Sequence, residues 1–366
     1  MSPSLHTLDI FFTLQKDREG RDFSPHVVTS LMETLPLMAP NLKTISYAVD
    51  IDVNHGYIKA FRHFVQLHTL SIIFFALDEA ALWELSTIPT LRDFTCFIDL
   101  SNSSALTLPP QGFQSLLSLH AAGSFDDLTS FINAGQLTSL THLCLPIRKP
   151  PIARKPTDLF VAVSRRCNRT VFTSFSAAID YKFSSESPPP NCLIQHLEPL
   201  LAFPNIESFY LSFPRAPPSI HDDDLARFGA AWPQMTAFRV VHNRVNLQPS
   251  QYPLIRPTLS GLVDLARRCP RLEAFRVPIL DANVIPEETA VLPLGHGLLS
   301  IFLHDIVLPA TGTLAYTNAA TVFNRVFLAI DLEETQKRVW PHGKEWKQFL
   351  KVLAGMRKLG SAEGGD

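Results

Sequence analysis

The strongest fold signal in the sequence is the stretch PNLKTISY, from Pro40 to Tyr47. It has the form Pro-x-h-x-x-h-x-h, in which h is a large apolar residue. Its second half alternates apolar and polar residues, which is the pattern of a strand buried on one side. The same pattern returns along the whole chain, and a pattern that recurs at a fixed interval predicts a repeat architecture.

Eleven copies of this motif can be aligned on their first apolar residue. From Leu42 to Leu140 successive copies are 25, 24, 25 and 24 residues apart. A leucine-rich repeat needs roughly 20–29 residues for one strand and its return segment, so these intervals indicate that class of repeat. The first apolar residues are Leu5, Leu42, Leu67, Leu91, Leu116, Leu140, Phe172, Ile206, Met235, Leu272 and Leu298.

Helical patterns fill several of the intervals, such as 78–85, 222–231 and 260–269. A proline follows soon after each, and proline ends a helix and favours the extended strand that comes next. We therefore predict an α/β leucine-rich-repeat solenoid, an open horseshoe of parallel strands with helices on its convex side. An ordinary α/β domain with parallel strands is the alternative, although nothing in such a domain requires the motif to recur at a fixed offset.

The predicted array covers residues 1–335 and comprises about 11–12 irregular units. Proline-rich insertions account for its longer intervals. An amphipathic segment then predicts a C-terminal capping helix region over 336–359, and the polar residues 360–366 predict a disordered tail.

Composition narrows the possible partners. The chain is 46% hydrophobic and 18% charged, which is enough apolar material for a core, and its formal net charge is −2. That charge favours neither nucleic acid nor an anionic membrane as a partner. Its 5 cysteines include no Cys-x-x-Cys pair, so neither a disulfide framework nor a zinc site is indicated. With no signal peptide or membrane span recognisable, we expect a cytoplasmic or nuclear protein.

Catalytic motifs are missing from the sequence. A nucleophile elbow, a P-loop, a dinucleotide-binding glycine pattern and an His-Glu-x-x-His pair are all absent, and only 15 residues are glycine. The acidic run 222–224 directly precedes a helical pattern, so it fits a helix N-terminus better than a cation site. We therefore predict a non-catalytic protein without a cofactor or metal. A hydrolase whose site is assembled across repeats from Ser, His and Asp is the remote alternative.

One outward position per repeat suggests a binding surface. The residue between the second and third apolar positions of the motif points away from the core, and in a horseshoe it faces the concave side. Over the last four clear copies this residue is large, and we name these four residues the aromatic–arginine row: Tyr210, Arg239, Arg276 and Phe302. Arginine and tyrosine dominate many interfaces, so the row predicts a site for a peptide with acidic and apolar groups. The alternative is a set of ordinary exposed strand residues.

A second candidate surface is basic. Seven basic residues fall between positions 148 and 169, and Asp158 is the only acid among them. Such a segment would suit an acidic partner or a phosphate backbone, whereas the alternative is a solvated loop and helix face. The seven residues are Arg148, Lys149, Arg154, Lys155, Arg165, Arg166 and Arg169.

Three stretches carry a resemblance to a known family: FPNIESF (203–209), DDDLARF (222–228) with WPQMTAFRV (232–240), and LVDLARRCPRLEAF (262–275). Through them the sequence resembles the repeat regions of fungal F-box proteins with leucine-rich repeats. It implies the substrate-recognition part of a cullin-type ubiquitin ligase, in which an F-box holds the adaptor and the repeats hold the substrate. An F-box precedes the repeats in that family, and here a repeat begins at Leu5. We therefore expect the F-box to lie outside this chain, and the alternative is a stand-alone scaffold or inhibitor-like binding protein.

Overall fold

Two compact units make up the chain, residues 1–172 (unit 1) and residues 173–366 (unit 2). The array predicted over residues 1–335 extends over both units. The computed structural model describes residues 4–12, 25–49, 55–103, 105–149, 157–179, 193–214, 219–242, 255–284, 296–308, 312–337 and 343–363.

Unit 1 is built on six parallel strands that pair in the order in which they occur in the chain. Their register aligns equivalent positions of the motif, so that Ile45 lies beside Leu70 and Leu70 beside Phe94. The register shifts once in the third strand, between Ile72 and Ala76. The strands are β1 (Thr7–Phe12), β2 (Thr44–Val49), β3 (Thr69–Leu77), β4 (Asp93–Ile98), β5 (Ser118–Ser124) and β6 (His142–Lys149).

Helices or 3₁₀ turns return the chain between most of these strands. Their N-termini are capped where the sequence supplies an acceptor: the Asp78 carboxylate accepts the Ala81 N–H at 2.8 Å, and the Ser124 hydroxyl accepts the Asp127 N–H at 3.1 Å. The return segments are α1 (Pro25–Met38), a 3₁₀ helix (His55–His63), α2 (Glu79–Ser86), α3 (Phe125–Ala134) and α4 (Asp158–Arg166).

Unit 2 repeats the plan with five parallel strands, again paired in chain order. The strands are β7 (Ser174–Ile179), β8 (Ser208–Phe213), β9 (Ala237–His242), β10 (Ala274–Asp281) and β11 (Ser300–Val307). The helices are α5 (Leu193–Leu197), followed by a 3₁₀ turn (Glu198–Ala202), then α6 (Asp222–Ala231), α7 (Leu259–Arg268), α8 (Gly312–Val326), α9 (Leu332–Lys337) and α10 (Lys344–Glu363).

A column of stacked rings forms the centre of the unit 2 core. Phe175, Phe209, Phe238 and Phe275 occupy the same inward position of four adjacent strands. Their successive ring centroids lie 6.0, 5.6 and 5.8 Å apart with nearly parallel planes. We call this column the phenylalanine stack. All four side chains are fully buried, so the stack joins neighbouring repeats through their largest apolar groups.

Helices α6 and α7 approach each other closely because two glycines leave room. A Cβ on Gly229 would lie 2.9 Å from the Cβ of Arg268. A Cβ on Gly261 would overlap the carboxylate of Asp222, whose carbon would be only 2.6 Å away. That carboxylate accepts the backbone N–H of Thr258 at 2.7 Å and its hydroxyl at 2.6 Å. The N-termini of the two helices are therefore tied together by one side chain.

The last helices close the apolar edge of unit 2. In α10 the side chains of Trp346, Phe349 and Leu353 are buried. The guanidinium of Arg357 donates to the carbonyls of Ile330 and Phe327, both at 2.7 Å, and so satisfies groups at the end of α8. Helix α10 continues to residue 363 and so includes part of the segment 360–366 that the sequence predicts as a tail.

The predicted fold class is confirmed. Parallel strands follow one another in chain order with a return segment between most of them, whereas a doubly wound sheet orders its strands differently. Each unit is a leucine-rich-repeat solenoid of the α/β type, and its core lies between the inward strand residues and the helices.

Candidate functional site

The aromatic–arginine row is a continuous feature of unit 2. Tyr210 lies beside Arg239, Arg239 beside Arg276, and Arg276 beside Phe302, on the adjacent strands β8 to β11. Adjacent strands are about 4.8 Å apart, so the four side chains start from one line across the sheet. Arg239 is exposed and the other three are half-buried. The structure therefore places all four predicted residues together on the outward face of the sheet.

Small residues border the row on the side where the strands begin. Ser208, Ala237, Ala274 and Ser300 occupy the preceding outward position of the same four strands. None of these side chains is long enough to cover the row.

The charged side chains of the row are two arginines. Glu207 and Glu273 are exposed at the starts of β8 and β10, three residues before Tyr210 and Arg276. In the described part of the chain no carboxylate lies within 4.0 Å of the Arg239 guanidinium. An anionic group at the level of the row would therefore meet the positive charge of Arg239.

Two histidines adjoin the row on the side where the strands end. The rings of His242 and His304 lie 6.5 Å apart, on either side of Pro278 in β10. Proline has no N–H to donate, and the paired register of β9 with β10 ends at Arg276. Burial, with the charges of Arg276 and His242, lowers the pKa of His304 to about 4. His304 is therefore neutral at pH 7.

This depressed pKa predicts a loss of stability in mild acid. An unfolded histidine has a pKa near 6.5, so between pH 6.5 and 4 the unfolded chain binds a proton at position 304 that the folded chain does not. We expect about 2 kcal/mol less folding free energy at pH 5 than at pH 8 from this group alone. Chemical denaturation at several pH values measures it.

His304→Asn is the matched variant, because it removes the titrating group and retains a polar side chain. The difference in pH dependence between the variant and the parent isolates position 304 from other titrating groups. Burial also lowers the pKa values of His120 and His196, which acts in the same sense, and raises the pKa of Asp305, which acts in the opposite sense. Parallel stability curves for variant and parent would contradict the prediction.

The predicted basic segment lies on two different edges of unit 1. Arg148 and Lys149 are exposed at the end of β6, where the Arg148 guanidinium sits 4.7 Å above the ring of Phe97. Arg165 and Arg166 are exposed in the last turn of α4, which packs beside α3 and runs back toward the edge where the strands begin. Arg169 is exposed in the turn that follows, while Arg154 and Lys155 lie outside the described residues.

The acidic run 222–224 is used structurally. The Asp224 carboxylate is fully buried and accepts the His221 N–H at 2.9 Å at the start of α6. The Asp222 carboxylate holds Thr258, as described above. His221, and not an aspartate, occupies the N-cap position. Across the part of the chain that the structure describes, no group of three or more His, Cys, Asp and Glu could hold a metal ion.

Sequence reasoning missed the two histidines beside the row. His242 and His304 are 62 positions apart and no motif links them. The available signal was positional: His304 follows Phe302 at the next outward position of its strand, so the register that defines the row also defines its neighbour.

Comparisons with known proteins find similarities among solved structures alone. No family model matches the sequence, and no curated protein matches it. Among solved structures the chain is similar to the leucine-rich repeat-containing protein LegL7 from Legionella pneumophila, at 12% identity over 95% of this chain and 98% of that one, with a TM-score of 0.38. It is also similar to a TLR13–ssRNA13 complex, at 13% identity over 84% of this chain and 40% of that one, with a TM-score of 0.40.

Among the described residues, none of the helices has the length and apolar character needed to cross a bilayer.

Proposed function

We propose that the protein is a non-catalytic interaction module that binds an acidic, partly apolar segment of a partner protein on the outward face of unit 2. The observation that carries this proposal is the unbroken register from Tyr210 to Phe302. It places two arginines on adjacent strands between two aromatic residues. The inward residues of these strands form the core, whereas the residues of the row lie on the opposite face of the sheet, where Arg239 is exposed.

The chemistry of the row suits such a partner. A guanidinium binds a carboxylate through two parallel hydrogen bonds, and two guanidiniums on neighbouring strands can hold two acidic side chains of one segment. Tyr210 and Phe302 at the two ends offer apolar area to the residues that flank the acids. Aromatic and arginine side chains provide much of the binding energy in many interfaces.

Charge reversal tests the row. With a partner captured by affinity purification, the double variant Arg239→Glu, Arg276→Glu is expected to bind at least 30-fold more weakly, since truncating or reversing a desolvated charge pair costs about 2–5 kcal/mol. The melting temperature should change little because Arg239 is exposed and Arg276 half-buried. Calorimetric titration measures the affinity of each protein for the partner.

The matched control is Arg267→Glu, Arg271→Glu, which changes the charge of unit 2 equally at two exposed positions away from the outward strand positions. This control should retain its affinity. Unaltered binding by a folded Arg239→Glu, Arg276→Glu variant would remove the row as the site. Attention would then move to the basic residues between 148 and 169.

In its finer form, we propose that the module is the substrate-recognition repeat region of an F-box-type ubiquitin ligase receptor. Support comes from the sequence resemblance of residues 203–209, 222–240 and 262–275. Purification of the tagged protein from its own cells tests this form. Recovery of a cullin adaptor together with the partner would favour it, whereas recovery of the partner alone would favour a stand-alone scaffold or inhibitor-like protein.

A further inference from the structure

A second charged feature runs along unit 1, at the edge where its strands begin. In each of the first four repeats the residue directly after the first apolar position of the motif is basic. We call this column the basic rim: His6, Lys43, His68 and Arg92.

The backbone holds the four residues of the basic rim in register. The Lys43 N–H donates to the His6 carbonyl at 2.9 Å, the His68 N–H to the Lys43 carbonyl at 2.8 Å, and the Arg92 N–H to the His68 carbonyl at 2.8 Å. Each residue of the basic rim therefore lies at the start of one strand, beside the rim residue of the neighbouring strand. Three of the side chains are exposed and His68 is half-exposed.

Within the described residues, the two fixed charges of the basic rim have no acidic partner, since no carboxylate lies within 4.0 Å of the Lys43 amine or the Arg92 guanidinium. The nearest acid in sequence, Asp93, accepts the Thr69 hydroxyl at 3.2 Å. Two fixed positive charges in a column with two histidines suit a ligand that carries negative charge at a matching spacing.

The fold does not require this charge. The same motif position in unit 2 is occupied by Thr173, Glu207, Thr236, Glu273 and Leu299, with the same backbone hydrogen bonds from strand to strand. That column contains two carboxylates and no base. The position thus tolerates either sign, so the basic rim is a property of unit 1 and not of the repeat.

The spacing of the basic rim discriminates between ligand conformations. Strand starts are about 4.8 Å apart, so three steps cover about 14.4 Å. One carboxylate on each turn of an α-helix, with a pitch of about 5.4 Å, covers about 16.2 Å in three steps. Alternate residues of an extended peptide, about 6.6 Å apart, cover about 19.8 Å. The helix is therefore about 2 Å longer than the basic rim over three steps, and the extended peptide about 5 Å longer. Long side chains can bridge a difference of about 2 Å far more readily than one of about 5 Å.

Beyond Arg92 the column becomes apolar and neutral. Leu117, which occupies the next strand start and donates its N–H to the Arg92 carbonyl at 2.7 Å, has 38% of its surface exposed. A phosphate backbone offers no apolar group to pack on Leu117, so this apolar end of the column favours a protein ligand.

We propose that the basic rim binds an α-helix of a partner protein that carries one carboxylate per turn, followed by an apolar residue that packs on Leu117. The helix lies across the starts of β1 to β5. This surface belongs to unit 1, whereas the aromatic–arginine row belongs to unit 2. The two binding proposals are therefore independent, and an experiment that refutes one leaves the other standing.

A pair of designed peptides tests the proposal. One labelled helical peptide carries glutamates at positions i, i+4, i+7 and i+11 with a leucine at i+15, and its isomer distributes the same residues around the helix. Fluorescence polarisation in about 150 mM salt should show at least tenfold tighter binding of the first peptide. Lys43→Glu, Arg92→Glu should abolish the preference, whereas the control Lys59→Glu, Lys149→Glu, at two other exposed lysines of unit 1, should retain it.

Four results would overturn the proposal. Equal binding of the two isomers would mean that the basic rim attracts acidic peptides without regard to the spacing of their charges. Tighter binding of an extended peptide with glutamate at alternate positions would refute the helical ligand. Displacement of the helical peptide by a lower concentration of single-stranded oligonucleotide would point to nucleic acid. Failure of the periodic peptide to bind the parent protein at all counts against the proposal equally.

Discussion

Gly261→Ala is expected to lower the free energy of unfolding of unit 2 by about 2–4 kcal/mol, although alanine is the better helix former by about 1 kcal/mol. The new methyl group would overlap the Asp222 carboxylate. That side chain must then turn away from Thr258, and both of its hydrogen bonds are lost. Loss of bonds to a charged group costs about 1.5–3 kcal/mol, and overpacking adds about 1–3 kcal/mol.

A double-mutant cycle identifies the cause of this loss. An Asp222→Ala background removes the overlap with the carboxylate and leaves only the Cβ of residue 222, at 3.1 Å, so Gly261→Ala should there be nearly neutral, and the two substitutions should couple by at least about 1 kcal/mol. Gly355→Ala in α10 is the matched control, because a Cβ at that position meets nothing within 4 Å. It should be neutral or slightly stabilising. Urea denaturation measures the four proteins of the cycle and the control, and a neutral Gly261→Ala in the parent would refute the proposed contact.

Phe209→Ala is expected to cost about 3–5 kcal/mol, the range for removing a buried aromatic side chain. Phe209 stacks on Phe175 and Phe238 on either side, and its ring centroid is also 4.9 Å from that of Trp232 at the end of α6. Removing its ring interrupts the phenylalanine stack and opens a cavity among groups from three strands and a helix. The midpoint of urea denaturation measures the loss.

Phe11→Ala provides the comparison for this substitution. Phe11 lies in β1 with 69% of its surface exposed, so the same change of residue should alter stability by no more than about 0.5 kcal/mol. Phe209→Leu should fall between the two, because leucine refills part of the space. A loss below about 1 kcal/mol for Phe209→Ala would mean that the stack is not a principal source of stability in unit 2.

Two features of the sequence were sufficient to predict the repeats: the alternation of apolar and polar residues within the motif, and the regular interval between its copies. Leu67, Leu70 and Ile72, which the motif assigns to the core, are fully buried. The aromatic–arginine row was likewise predictable, because a constant offset from the motif becomes a constant register in a parallel sheet. Both results depend only on features that are local to one repeat.

Contacts between repeats were beyond the reach of the sequence pattern. Asp222 and Gly261 meet only because α6 and α7 align their N-termini, and the geometry of that packing is not encoded by either helix alone. The basic segment 148–169 appeared to be one surface because its residues are close in sequence. In the fold a strand end and a helix end lie at opposite edges, so Arg148 and Arg165 belong to different surfaces. The candidate site was therefore only partly predictable.

The separation of inward from outward strand residues has an evolutionary consequence. Selection for a stable chain acts on residues such as Phe238, which packs inside, whereas its neighbour Arg239 is exposed and makes no ion pair in the described part of the chain. Substitutions at an exposed outward position such as Arg239 thus leave folding nearly unchanged. Proteins with this fold can therefore acquire a new binding partner through substitutions at exposed outward residues. The inward residues, and with them the fold, remain the same.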